Sequence, residues 1–262
     1  MINKIISGGQ VGADRAALDV AIMFNVDHGG WIPKGRKTED GTLHDKYQLQ
    51  EMSTASYPAR TEKNVLDSDG TVIFSYGPLT GGSKLTEKLE NKHGKPCLHI
   101  DFNETPEYNA VFLVRKWMYE NHVETLNIAG PRASGDPQIY NAVFKVIKGV
   151  YWTDKMKGHS LDNEKREESL SPRTVDEAVH QIIADFSLRD KVETANLTEE
   201  DPAIIKAVLE IYVGEKLNEW MINNELHEDR IHDLMYAGEA SAVILEKICE
   251  RLQETHRVRV VK

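Results

Sequence analysis

The sequence predicts an α/β fold: a Rossmann-like open parallel sheet with flanking helices, followed by a small all-α C-terminal domain. Three observations carry that expectation. Short β-branched runs alternate with helix-period segments through residues 1–152, three glycine-rich turns follow such runs, and only amphipathic helical segments remain beyond residue 170.

The strands read in order as "KIIS" at 4–7, a short run leading into His28 to Ile32, "TVIFS" at 71–75, "PCLHID" at 96–101 and "TLNIA" at 125–129. Between them, Ala16, Leu18, Ala21 and Ile22 mark one apolar helix face, Leu85, Leu89 and His93 a second, and Val111, Val114, Trp117 and Met118 a third. Pro58 stands where a first-turn proline belongs, which predicts a helix over 58–67. A last helix of this half spans 137–150, with Ile139, Ala142, Val143, Val146 and Ile147 on one side.

The run "TDKMKGHSLDNEKREESLSP" has hardly an apolar residue and reads as a charged linker over 153–170, separating a domain at 1–152 from a helical domain at 171–262. In the latter, Pro172 opens a helix whose face carries Val175, Val179, Ile182, Ile183 and Phe186. Thr198 caps a second helix through Ile204, Val208, Ile211, Tyr212, Trp220 and Met221, and Val243, Ile244, Ile248 and Leu252 line a third. Three such helices bury one another in a small bundle. The tail "HRVRVVK" suits an edge strand or a frayed end.

Composition narrows the partners. With 40% hydrophobic and 28% charged residues the chain is that of a soluble protein with a packed core, and no stretch nears the roughly 18 to 20 apolar residues of a membrane span. Nothing resembling an export signal leads the first apolar run, so the expected location is cytoplasmic. Cys97 and Cys249 sit in apolar surroundings and read as reduced, buried thiols. Residues 1–152 carry a net charge of −1 and residues 153–262 a net charge of −9. That acidity argues against nucleic acid and anionic membrane as partners. An exposed helical face leaves a homo-oligomer open.

Parallel strands joined by right-handed crossovers place their C-terminal ends on one edge, where open α/β sheets bind ligands. Three glycine-rich loops are expected there: "SGGQVGAD", "YGPLTGGS" and "AGPRASGDP". Each opens a helix, whose leading N–H groups and dipole favour an anion, and glycine admits close approach. Taken alone, Gly8, Gly9 and Gly12 form either a tight turn or the floor of a phosphate pocket; three such loops together favour the pocket. "GGQVG" lacks the Gly-Lys-Ser/Thr of a Walker loop and differs from the dinucleotide fingerprint. In "HGGWIPKGRKTEDG", Lys34, Arg36 and Lys37 with Trp31 suit a phosphorylated ring or make a basic surface loop. Arg132 is placed to fork onto phosphate oxygens, with Ser134 as hydroxyl donor, or to pair with a surface carboxylate.

"IISGGQVGADRAALDVAI", "HGGWIPKGRKTEDG", "RTEKNVLDSDGTVIFSYGPLTGGSKLT" and "NIAGPRASGDPQIY" together resemble the putative molybdenum carrier family, the circularly permuted YpsA branch of the SLOG superfamily of Rossmann-like nucleotide-binding proteins. The resemblance covers residues 2–150. It implies a ligand site to which Gly8, Gly9, Gly12, Asp14 and Arg15 belong, with Lys34, Gly35 and Arg36, then Arg60, Thr61 and Asn64, then Gly81, Gly82 and Thr86, and finally Gly130, Pro131 and Arg132. Val11 stands where the family often has threonine.

The superfamily includes phosphoribohydrolases that cleave nucleoside monophosphates with an arginine and a glutamate near a "PGGxGT" loop. "GPLTGGSKLTEKLE" departs from that loop, with Glu87 directly after the threonine. Acid candidates for such chemistry are Glu87, Asp14, Glu39 and Asp40, and Asp14 serves equally as a helix N-cap. No Cys/His cage or Ser/His/Asp grouping stands out, so no protein-ligated metal is expected. A molybdenum cofactor, if carried, is expected to be held by its pterin and phosphate. The expected function is binding of a small phosphate-bearing, nucleotide-type ligand, with molybdenum cofactor carriage as one form of it. The alternatives are a nucleoside-monophosphate phosphoribohydrolase and a nucleotide-sensing interaction module.

Overall fold

The computed structural model describes residues 2–162, 172, 174–186, 188–196, 209, 212–214, 216, 217, 220 and 237–256. The chain divides into two compact units, 1–151 and 152–262.

In the first unit, β1 (Lys4–Ser7), β2 (Asp27–Gly29), β7 (Gly70–Ser75), β8 (Cys97–Asp101) and β9 (Thr125–Ala129) form one parallel sheet in the order β2-β1-β9-β7-β8. Four of the five lie within a residue of the predicted runs. The fifth differs: the run from His28 to Ile32 breaks at Gly30 (φ +116°), where a Cβ would stand 2.3 Å from Ser7 O. Past that turn the chain leaves the sheet. β3 (Trp31–Ile32) pairs with β6 (Gln50–Glu51), and β4 (Lys37–Thr38) forms a hairpin with β5 (Gly41–Thr42). This excursion has its own apolar anchor, in which Leu43, Tyr47 and Leu49 pack with Ile32 and with Leu18 of α1 (Ala13–Met23).

The helices follow their sequence signals. Ser56 caps α2 (Tyr57–Asp67), accepting from Ala59 N at 3.3 Å, with Pro58 in the first turn. α3 (Gly81–His93) ends on Gly94 in the left-handed conformation, and α4 (Glu107–Glu120) buries Val111, Val114 and Met118. The α1 face is formed by Ala13, Ala16, Ala17, Leu18, Val20 and Ala21, leaving Ile22 exposed, contrary to its place in the sequence pattern. Small residues let this helix lie close to the sheet, and Ile22 falls on the far side of that narrow stripe.

α5 (Ile139–Asp162) corrects the linker reading over residues 153–162, where helix continues, while residues 163–170 lie outside the described residues. An established helix extends at little cost through polar residues, and Lys155, Met156 and Lys157 are good helix formers. In the second unit Thr174 caps α6 (Val175–Asp185), accepting from Glu177 N at 3.1 Å. α6 and α7 (Leu188–Ala195) both pack on α8 (Ala237–His256). Ile244, Leu245, Ile248 and Leu252 are buried on α8, whereas Val243 is 46% exposed and Leu245 takes the core place expected of it. Residues 198–208, 211, 221 and 257–262, to which the sequence assigns a cap, apolar positions and a possible edge strand, lie outside the described residues. No helix among the described residues is long and apolar enough to cross a membrane.

One buried polar group stands out in the sheet. Glu90 of α3 accepts from the Thr71 hydroxyl, which in turn accepts from Asn127 Nδ2 at 2.8 Å, and Glu90 Oε2 has no hydrogen-bond partner. Burial pushes this carboxyl up to about 7 against the pull of Thr71, Lys95 and His93. Its folded value lies above its unfolded one, so the stability it contributes is full below the unfolded value and lost as pH rises through about 7. Urea denaturation at about pH 5 and about pH 8 should show a loss of up to about 3 kcal/mol at this residue, and Glu90→Gln should flatten that dependence.

Candidate functional site

The loops after β1, β7 and β9, residues 8–12, 76–80 and 130–138, leave one edge of the sheet from its three central strands. The first and last are joined by backbone. Ala133 N donates to Val11 O at 2.9 Å and Ala13 N to Pro131 O at 3.4 Å, bridging Gly12 and Arg132. Gly12 has φ +116°, and a Cβ there would lie 2.6 Å from Pro131 O, so the bridge requires glycine. Gly130 fits in the same way, since its Cβ would stand 2.6 Å from that of Ala13.

The three helix starts are therefore not equivalent. At α1, Pro131 O accepts from Ala13 N and Gln10 O accepts from Arg15 N. Before α5, the Asp136 carboxylate accepts from Gln138 N at 3.1 Å. At α3, Thr80 makes no side-chain cap hydrogen bond, and a Cβ on Gly81 or Gly82 would meet nothing within 4 Å. The turn leading to it is braced from below: Gly77 N donates to Asp101 Oδ1 at 2.8 Å, and the buried Ser75 hydroxyl donates to Gly77 O at 2.6 Å while also meeting His99 Nε2 at 2.8 Å. Sequence spacing does not reveal this Ser75 and His99 contact. Its hydroxyl is directed at a carbonyl and holds the turn. Thr86, buried, donates to Gly82 O at 3.1 Å.

Charged groups meet beside these loops. Arg60, from α2, lays its guanidinium on the Gly8 backbone, where a Cβ would lie 1.5 Å from Arg60 Nη1. Asp14 is buried, accepts from Gln10 N at 3.2 Å and stands 3.8 Å from Arg60 Nη1. Burial pushes the Asp14 carboxyl above its ordinary range, against the opposing pull of Arg60, Gln10 N, Ser7 and Arg132. Burial likewise draws the Arg60 guanidinium down, opposed by Asp14 and Tyr57. The Tyr57 ring lies against both arginines, 6.0 Å from Arg60 Cζ and 5.1 Å from Arg132 Cζ. Arg132 also meets Glu39 at 3.8 Å, and the same carboxylate accepts from Ser134 N at 3.3 Å and from the Ser134 hydroxyl.

Other residues expected at the site are engaged nearby. The Arg36 guanidinium donates to Leu43 O and His44 O at 3.4 Å, Tyr47 O at 3.0 Å and Leu49 O at 2.9 Å, holding together the excursion after β3. Gly35 N donates to Glu51, and Lys34 is exposed, its backbone N donating to Thr54 O. Arg15 reaches Asp40 and Gly9 O at 3.4 Å and covers the Tyr47 ring. Asn64 is buried and accepts from Trp31 N at 2.7 Å, while the Trp31 indole donates to Asp67. A Cβ on Gly9 would lie 2.9 Å from both Leu43 and Leu49, so this glycine serves packing. Tyr57, and Glu39 as the partner of Arg132, carry no sequence signal, because their contacts join segments far apart in the chain. Among the described residues no group of three or more His, Cys, Asp or Glu could hold a metal ion.

Residues 5–151 match the circularly permutated YpsA SLOG family. The chain belongs to that family. A crystal structure of a putative molybdenum carrier protein from Syntrophus aciditrophicus SB is similar at 55% identity and TM-score 0.56, covering 57% of this chain and 94% of that one. No curated protein matches. The family match ends where the second unit begins, so the likeness lies in the first unit, with its sheet and glycine loops.

The Arg36 fork is a structural test of this edge. Arg36→Ala should cost about 2 kcal/mol in urea denaturation, and Arg36→Lys should restore little, because a point charge cannot reach four carbonyls. Hydrogen exchange in residues 43–49 should quicken in both variants.

Proposed function

We propose that the loop edge of the sheet binds a small phosphate-bearing ligand of nucleotide type, with the phosphate at the glycine start of α3 and Arg60 and Arg132 as its cationic partners. The observation that carries this reading is the contrast among the helix starts: α1 and α5 have backbone or carboxylate partners, whereas α3 begins with two glycines beside open space. The two arginines meet one aromatic ring, a further surface for a base or pterin.

Molybdenum cofactor carriage is the specific form suggested by the Syntrophus aciditrophicus relative. The residues fit the phosphate and the pterin better than the metal. Cys97 begins β8, at the opposite end of the strand from the loops, and burial, with Glu90 and Glu87, pushes its thiol up to about 12. The loops would thus hold such a cofactor by its organic part.

A second reading, hydrolysis of a nucleoside monophosphate, has one observation in its favour. Among the acid candidates Glu87 pairs with Lys84, Glu39 with Arg132 and Asp40 with Arg15. Asp14 is buried beside Arg60, with a raised affinity for its proton that suits an acid catalyst.

Thermal-shift titration with AMP, a pterin phosphate and molybdate is expected to show stabilisation by at least one of them, and Arg132→Ala should weaken that ligand about tenfold. No stabilisation by any anion would sink the binding reading. Release of free base from AMP would replace the carrier with the hydrolase.

A further inference from the structure

The Asp14 and Arg60 pair permits a narrower conclusion, which rests on the binding reading above. Their separation of 3.8 Å is that of an ion pair, but beyond hydrogen-bond reach. Arg60 Nε is buried without any hydrogen-bond partner, and the two side chains are 12% and 10% exposed. A buried pair of this kind lacks the geometry that repays desolvation. The guanidinium keeps unused donors, and the carboxylate beside it would repel an incoming anion.

We propose that the site selects a ligand presenting a dianionic tetrahedral group, and that Asp14 takes up one proton from solvent as that group binds. Every charged or polar group facing Asp14 bears on this. Ser7 faces it from β1, and its hydroxyl donates to Ile128 O at 3.2 Å. Gln10 N donates to it from its own loop. Arg60 faces it from α2 with Tyr57 beyond, and Arg132 from the loop after β9, with Glu39 of the β4–β5 hairpin on its outer side. The neighbouring Arg15 is turned to Asp40 and Gly9 O.

Among the described residues the cations that hold Asp14 ionised are thus Arg60 and Arg132, the two that the ligand would engage. A dianion drawing on both removes that support and adds its own repulsion, so the bound state favours the protonated carboxyl. Two arginines then face two negative charges. The upward displacement of Asp14 by burial agrees with this direction. A monoanionic diester would gain less from the same arrangement. The dianion could be a free oxyanion or the terminal phosphate of an organic monoester, which share the chemistry of the site.

Calorimetry on the full chain separates these possibilities. The probes are sulfate, which stays a dianion throughout, AMP as a monoester and cyclic AMP as a monoanionic diester. AMP should bind at least about tenfold more tightly than cyclic AMP. Enthalpies in two buffers of different ionisation heat should show net proton uptake that is absent in Asp14→Asn, an isosteric change. For the wild type alone, the Kd of the dianion should fall about tenfold from about pH 8 to about pH 6, with the ionisation of AMP itself subtracted. Sulfate binding as tightly as AMP assigns a free oxyanion; tight binding of AMP alone assigns the monoester. Either supports the proposal. Binding with no proton uptake, or with uptake undiminished in Asp14→Asn, overturns this proposal and leaves the binding reading standing. Failure of all three probes to bind overturns this proposal, and the pterin phosphate and molybdate titrations above then decide the binding reading.

Discussion

The loop edge is organised by the backbone bridge between Gly12 and Arg132. It is made of two amide-to-carbonyl hydrogen bonds and is possible only because residue 12 has no Cβ. The bridge closes the start of α1 against one of its own neighbours, fixes the path of the loop after β9 and so sets where Arg132 can reach. Through Arg132 it also fixes the contacts with Tyr57 and Glu39, which tie α2 and the hairpin of the excursion to the same place. Gly12 thereby becomes part of the scaffold, whereas Gly81 and Gly82 at the start of α3 border open space.

Electrostatics divide the cations in the same way. Arg36 donates to four carbonyl oxygens, and Arg15 reaches Asp40, Gly9 O and the Tyr47 ring while its Nε is buried without a hydrogen-bond partner. These contacts hold the covering segment in place. Arg60 and Arg132 are held by aromatic contact and by ion pairs at 3.8 Å, arrangements that fix position while leaving hydrogen-bond donors available.

The sheet was legible in the sequence because strand and helix periods are local properties. "KIIS", "TVIFS" and "TLNIA" are uninterrupted β-branched or apolar runs between polar turns, and Pro58 marks the first turn of α2. The division of labour among the glycines was not legible. Gly9 and Gly81 are the same residue in similar loops; one lies against Leu43 and Leu49, and the other borders open space, a difference set by residues far away in the chain. The same holds for Arg36, whose four acceptors are backbone carbonyls and leave no trace in side-chain identity. The extension of α5 is not legible because a solvated polar run and a solvated polar helix have the same composition.

The place of β9 also bears on the order in which the sheet can assemble. β1 and β2 form one pair of strands and β7 and β8 another, yet the two pairs share no edge until residues 125–129 arrive between them. The Ser7 hydroxyl and Ile128 O, which meet across this junction, are 121 residues apart in the chain. Until residues 125–129 are in place, the facing backbone edges of β1 and β7 have no strand between them. Closure is therefore a late, long-range event, which belongs to the slow end of folding behaviour. The permuted order of strands becomes a kinetic property: this sheet is completed from its centre, and the gap that β9 fills is the last part of it to exist.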